Sequence, residues 1–506
     1  MLAILAIGTV LFSSCEKNDD VIVVTPPPPP PPPPAPTVKP NQEFYGITAA
    51  NVLVRYNANA SQTALAQMPV TGLQAGENLL SIDFRPATGQ LYGLGNSNRL
   101  YIINTETGVA RAVGTAPFAP GLLGAVASID FNPTVDRIRV VSNVGENFRL
   151  NPETGMVAAI DGNINNAEKI TGVAYTNSFA GASSTTLFDI DGYNLFVQNP
   201  PNNGTIIKIG SLGLSGPGVG GSDFDISPDN RVILAPVTVG TTTNLYQLDT
   251  LSGTLRNLGQ LSLPIIGLAI PTNPVGYGVD NANNLLIFNL SAPGFAVTKP
   301  ITGLQGGETI LGIDMRPATG QLYALGSTSR LYTINMSNGV AAVVGTTQFA
   351  PLLSGTSFGF DFNPTVDRIR VVSNTGQNMR LNPNTGSTAA VDLPLNPGTP
   401  AVSAAAYTNN FAGATTTTLY VIDATTDKLY IQTPPNNGTL VEVGRLGINI
   451  TADNGFDIGG RSGKAYGAFS IGSITKLYTL DLTTGLVVGQ VDFPGVAKGF
   501  AVGLGF

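Results

Sequence analysis

The chain has 506 residues with no histidine, no tryptophan, one cysteine, 60 glycines and 37 prolines, and 11% of it is charged against 42% hydrophobic. That balance excludes a disordered polyelectrolyte. The missing histidines exclude Ser-His-Asp and Cys-His nucleophile systems and His-ligated metals, the lone cysteine excludes an intrachain disulfide, and a formal charge of −7 excludes the basic footprint of a nucleic-acid binder.

Leu2 to Phe12 is apolar and too short to span a bilayer, and it runs through Ser13-Ser14 into Cys15. Residues 1–15 thereby resemble a bacterial lipoprotein signal peptide, which implies lipidation of Cys15 and a membrane partnership through that acyl anchor, such as palmitate. The departure is that no Lys or Arg precedes Cys15. Glu16-Lys17-Asn18-Asp19-Asp20 resembles the acidic tag of Bacteroidota-type lipoproteins, which implies the cell outer membrane and its outer surface. Residues 16–42 read as a Pro-rich linker, since Pro26 to Pro34 form an uninterrupted run that favours extended polyproline II and acts as a stiff spacer.

From residue 43 on the sequence is duplicated. Phe131 to Asn143 recurs as Phe362 to Asn374, and Arg85 to Tyr92 recurs as Arg316 to Tyr323, both at an offset of 231. Two domains follow, 43–273 and 274–506. Inside each lies a finer period of about 46 residues, ten units in all, which suits four-stranded propeller blades. In one unit Leu79 to Phe84, Gln90 to Gly95, Arg99 to Asn104 and Val109 to Gly114 read as strands. Pro86-Ala87-Thr88-Gly89 and Thr105-Glu106-Thr107-Gly108 are turns between them. No window carries a helical period.

The expected fold class is all-β, tandem β-propellers in two five-bladed rings. The first unit lacks its innermost strand, which Ile265 to Ile270 can supply; Gly499 to Leu504 can do the same for the second half. The alternative is one ten-bladed ring. The Asp-Phe-x-Pro and Asn-Pro-x-x-Asp-Arg-Ile-Arg-Val-Val-Ser-Asn stretches resemble the bacterial DUF4394 domain over both halves. That resemblance supports the repeat reading and implies no chemistry.

The third unit of each half holds the densest polar pattern. Alternation puts Arg137, Arg139, Val141 and Asn143 on one strand face, and Asn147, Arg149 and Asn151 follow on the next strand. Arg368, Arg370, Asn374, Asn378, Arg380 and Asn382 are their second-half copies. Buried arginines need partners, so a structural set is expected in which Arg137 and Arg139 pair with Asp130 or Asp136, and Arg368 and Arg370 with Asp361 or Asp367. Asn143, Asn147, Arg149, Asn374, Asn378 and Arg380 are the candidate ligand contacts, because guanidinium forks and amides suit carboxylates and sugar hydroxyls. Phe118 and Phe349, in matched loops, are candidates to stack on a ligand or to plug the gap between blades.

No cofactor is expected. Calcium is the alternative, on the Asp-x-Asp spacings of Asp189 with Asp191 and of Asp223, Asp225 and Asp229, although neither matches a known loop. No catalytic or metal residue is assigned. Glu77 and Glu308 are the only glutamates repeated before innermost strands, and in separate rings they cannot act together as acid and base. The expected function is a cell-envelope binding or interaction module for a carbohydrate or protein ligand, with no nucleic acid. The alternatives are a structural or adhesion scaffold and a His-free metal-dependent hydrolase or lactonase.

Overall fold

Short apolar runs set off by turn residues pair with their chain neighbours, and the result repeats along the whole described chain. A computed structural model describes residues 38–164, 169–215 and 223–506. The signal and lipidation readings for 1–15 with Cys15, and the polyproline run of the linker, lie outside these residues. Leu79–Phe84, Leu91–Gly95, Arg99–Ile103 and Ala110–Ala112 form one four-stranded antiparallel sheet in that order. Among the described residues there are ten such sheets, and the helical elements are four single 3-10 turns. None of these residues lies in a helix long and apolar enough to cross a membrane.

Eight of the sheets are built from consecutive strands, and two are completed from a distance. Gly267–Ala269 pairs antiparallel with Glu43–Ile47, placing Ala269 opposite Tyr45. Gly499–Val502 pairs with Val275–Val279, placing Ala501 opposite Tyr277. In each half the first strands of the sheets pack side by side. Ile310–Met315 lies against Phe358–Asn363, that strand against Val402–Tyr407, that against Asn454–Ile458, and that against Gly499–Val502, which returns to Ile310–Met315.

Apolar layers fill the spaces between sheets. Tyr92, Leu94, Phe118, Phe131 and Val140 share one cluster, and Tyr323, Leu325, Phe349, Phe362 and Val371 share its copy. Phe118 and Phe349 are each only 2% exposed. Neither is free to stack on a ligand: burial of a phenyl ring between two sheets is favourable, and the loops fold back to achieve it.

The two halves meet through the turn after Leu79–Phe84. The Gly505 N–H donates to the Thr88 carbonyl at 2.8 Å, and the Tyr277 hydroxyl donates to the Ala87 carbonyl at 2.8 Å. Gly89 has φ +71, and a Cβ there would stand 2.2 Å from the Phe506 ring. Only glycine meets both demands.

Candidate functional site

The innermost strand of every sheet, which is its first in eight of them and Gly267–Ala269 or Gly499–Val502 in the other two, is an edge strand whose outer N–H groups are buried, so they need acceptors other than a ladder partner. Aspartates supply them. Asp83 accepts from the Phe131 N–H at 2.8 Å, Asp130 from Tyr175 at 3.1 Å and Asp225 from Ile270 at 2.6 Å. In the second half Asp314 accepts from Phe362 at 2.7 Å, Asp361 from Tyr407 at 2.9 Å and Asp457 from Val502 at 2.6 Å. Each bond crosses from one sheet to the next.

These carboxylates also converge. Asp83, Asp130 and Asp225 bring one oxygen each within 4.8 Å of one another, as do Asp314, Asp361 and Asp457, and all six are buried. Burial, reinforced by neighbouring carboxylates, pushes Asp83, Asp130, Asp314 and Asp361 well above the usual range. Burial also lifts Asp225 to about 8 and Asp457 to about 7. Three oxygens fall short of the six to eight that calcium takes, and backbone N–H groups already occupy both oxygens of Asp83, Asp225, Asp314 and Asp457. Protons fit this geometry better than a divalent ion.

The Asp-x-Asp spacings do not gather around one point. Asp191 caps its own turn by accepting from Tyr193 and Asn194, and Asp229 accepts from Ser227 and Arg231. Asp223 accepts from the Ser128 and Ser81 hydroxyls at 2.7 and 3.0 Å. Asp189 is fully buried with neither oxygen hydrogen-bonded, and burial pushes it up to about 8. Glu77 is held by Ser97 and the Tyr101 hydroxyl, and Glu308 by Thr328 and Tyr332.

The repeated arginines form two copies of one network, with partners other than those expected. Arg139 donates to Asp161 at 2.5 Å, Asn147 at 2.7 Å and Asn202 at 2.8 Å. Arg370 does the same to Asp392, Asn378 and Asn436. Asp130 and Asp361 are not their counter-charges, because those carboxylates are turned to the next innermost strand. Arg137 and Arg368 donate to the backbone carbonyls of Asp136 and Asp367, whose carboxylates instead hold Arg85 and Arg316.

The candidate ligand contacts are consumed in the same networks. Arg149 forks onto Asp161 with two bonds of 2.8 Å, and Arg380 forks onto Asp392. Burial raises the Asp161 carboxyl, but its two arginines outweigh that and hold it below the usual range. Asn147 and Asn378 are buried and donate to carbonyls beyond their own strands. Asn143 and Asn374 are half-buried and accept from the Val126 and Thr356 N–H groups, tying down the loops that precede their sheets' first strands.

Two ligand-sized cavities bring residues of both halves together: one of about 240 Å³, lined among others by Phe179, Ala180, Val275 and Phe295, and a larger one. The larger measures about 290 Å³ and is lined by Ile102, Val109 and Arg111 from the first half and by Phe411, Arg461 and Leu504 from the second. Arg111 stands opposite Ile102 on the outermost strand of its sheet. Its Nη2 is buried without a hydrogen-bond partner, and burial lowers its pKa. Among the described residues no carboxylate lies within ion-pair distance of Arg111. Arg461 reaches Glu106 through Nη2, while its buried Nε has no partner. No sequence motif marks this cavity, because its walls lie some 300 residues or more apart in the chain. The available signal was a mismatch in the duplication: Arg111 corresponds to Ala342.

The sequence pattern of the family described as domain of unknown function (DUF4394) matches residues 52–269 and 284–501. None of the curated proteins matches. The solved structures it is similar to include PorZ, a surface component of the type-IX secretion system of Porphyromonas gingivalis, at 13% identity and a TM-score of 0.26, covering 90% of this chain and 58% of that one. Another is the extracellular domain of a one-component system from B. thetaiotaomicron, at 12% identity and a TM-score of 0.24, covering 88% and 58%. The chain thus spans less than two thirds of either.

Two outcomes follow from the buried charges. Arg139→Met removes one of the two arginines on Asp161 and leaves the Asn147 and Asn202 amide oxygens without that donor, so chemical denaturation is expected to show a loss of about 1–3 kcal/mol, with a smaller loss for the part-exposed Arg149→Met. The central aspartates bind protons more tightly folded than unfolded, where the pKa is about 3.9. Their stabilisation is complete below about pH 4 and is lost as pH rises through the folded values of about 7 to 8. The melting temperature is expected to fall between about pH 5 and 8.5, less steeply in Asp225→Asn. A flat profile common to both proteins counts against shared protons.

Proposed function

The chain belongs to the DUF4394 family, in two copies, and from that premise we propose that it is a lipid-anchored envelope protein whose paired domains form a binding or interaction module. Each half reads as a five-bladed propeller. Support comes from the side-by-side succession of first strands and from the pairing of Gly267–Ala269 with Glu43–Ile47, which a single ten-bladed ring would not need. Cys15 is the proposed lipid attachment point at the outer membrane, followed by a proline spacer.

The observation that carries the binding reading is the larger cavity between the halves. Its size sits at the lower end of small-molecule sites, it is mostly apolar, and it holds polar atoms that nothing else satisfies. The residues that would have lined an open mouth are committed to holding loops and neighbouring sheets. Among the described residues no glutamate pair is placed for acid and base work, and the proposed function is binding.

Ligand-observed NMR with a mixed fragment set is the test, using Ala412→Trp, which fills the cavity, as the control. Fragments that bind the parent protein and lose contact with the variant are the expected result. A set with no such fragment would favour a structural or adhesion scaffold. Separately, Cys15→Ser is expected to move the protein from the membrane fraction to the aqueous one, and an unchanged distribution would remove the lipid anchor from the proposal.

A further inference from the structure

The larger inter-half cavity contains one charged group that the fold does not use. The arginines fully buried in the core are matched: Arg85 by Asp136, Arg139 by Asp161, Arg370 by Asp392. These pairs occur in both copies of the duplication or have a counterpart there, as Arg316 with Asp367 does. Arg111 has neither a carboxylate nor a counterpart. The corresponding strand, Ala341–Val344, has Ala342 at its place and forms the same pairing with its neighbour. The duplication therefore shows that this sheet does not need an arginine there.

A half-buried guanidinium whose Nη2 is cut off from water and from every protein acceptor loses hydrogen bonds that water would have supplied. An anion entering the cavity supplies the missing counter-charge and a charge-assisted bond to the part-exposed side of the guanidinium. The charge environment favours this. Tyr92 is the titratable group near Arg111, and the other charged lining residue is Arg461, itself with an unpartnered buried Nε. Glu106, the carboxylate that Arg461 reaches, is exposed and already paired with it. The remaining wall is mainly apolar, with Leu91, Ile102, Ile103, Val109, Phe411 and Leu504, and its polar members include Gln90 and Thr105, each with a buried side-chain oxygen that has no partner.

We propose that this cavity binds a small amphiphilic carboxylate, an anionic head on an apolar body of roughly ten carbons, with Arg111 holding the carboxylate and Arg461 beside it. The size follows from a volume of about 290 Å³. The predominance of apolar side chains favours an apolar body over a hydroxylated sugar acid, because burying hydroxyls against them is costly. This assignment rests on the cavity being the binding site.

Isothermal titration of the full chain with decanoate, decanol and glucuronate tests the proposal and separates head from body. Decanoate is expected to bind once per chain, with decanol and glucuronate at least ten-fold weaker. Arg111→Met is expected to weaken decanoate at least ten-fold without lowering the melting temperature, since Ala342 stands at that position in the copy. Arg111→Lys is expected to recover part of the affinity, and Ala412→Trp to abolish it. Decanoate binding that is unchanged by Arg111→Met overturns the assignment. Decanol equal to decanoate, with both lost in Ala412→Trp, overturns the anionic head but keeps the cavity as a binding site. Tighter binding of glucuronate makes the ligand a sugar acid instead, and failure of all three to bind overturns both readings.

Discussion

Everything in this fold depends on satisfying buried strand edges. A four-stranded sheet that turns its first strand towards a crowded centre leaves a row of N–H groups with no strand beside them and no water. Here a side-chain carboxylate reaches across to the N–H of the next innermost strand, from Asp83 to Phe131, from Asp130 to Tyr175 and from Asp225 to Ile270. The bond replaces a ladder hydrogen bond and also fixes the spacing between sheets. Ionised carboxylates crowded within 4.8 Å would repel one another strongly at low dielectric. The raised proton affinity of the cluster is the consequence, and it is a cost of the architecture rather than a sign of catalysis.

The two halves solve the next layer differently. In the first, Ser81, Ser128 and Asp223 form a second polar tier, with the Ser81 and Ser128 oxygens accepting from Ile129 and Val173. In the second, Gly312, Gly359 and Gly455 stand at those positions. A Cβ at Gly312 would lie 2.8 Å from the Phe360 side chain, and one at Gly455 would lie 2.5 Å from that of Phe500. Larger aromatic neighbours have taken the room that hydroxyls fill in the first half. The carboxylate tier is common to both, so it is the tier the fold requires.

Much of this was legible in the sequence, for physical reasons. Turn residues with restricted φ and a period of about 46 define the sheets, and Leu79–Phe84 matches its expected bounds. The recurrence of Asp83, Asp130, Asp314 and Asp361 at one place per unit is itself legible as architecture. Asp225 and Asp457 escaped that reading because the spacing of their units differs by a residue or more. The arginine partners were missed for a related reason. Alternation says which residues share a face but not how far a guanidinium reaches, and Arg139 passes over Asp130 to Asp161, beyond the outer strand of its sheet. Asp161 and Asp392 are themselves a duplicated pair, and that was the available clue.

Internal duplication also separates what the fold needs from what it merely tolerates. Groups present in both copies, such as the Arg139 and Arg370 networks, are accounted for by neighbouring loops and strands they hold. Groups present in one copy have no such account from the architecture. Asp189 and Arg111 are both of this kind, facing Val421 and Ala342 across the duplication, and both carry buried polar atoms without partners. They differ in surroundings. Asp189 is sealed, and burial keeps a proton on it, so it can persist as a neutral group within the core. A guanidinium does not shed its charge at physiological pH. Arg111, lining a cavity open to both halves, has only an external anion to complete it.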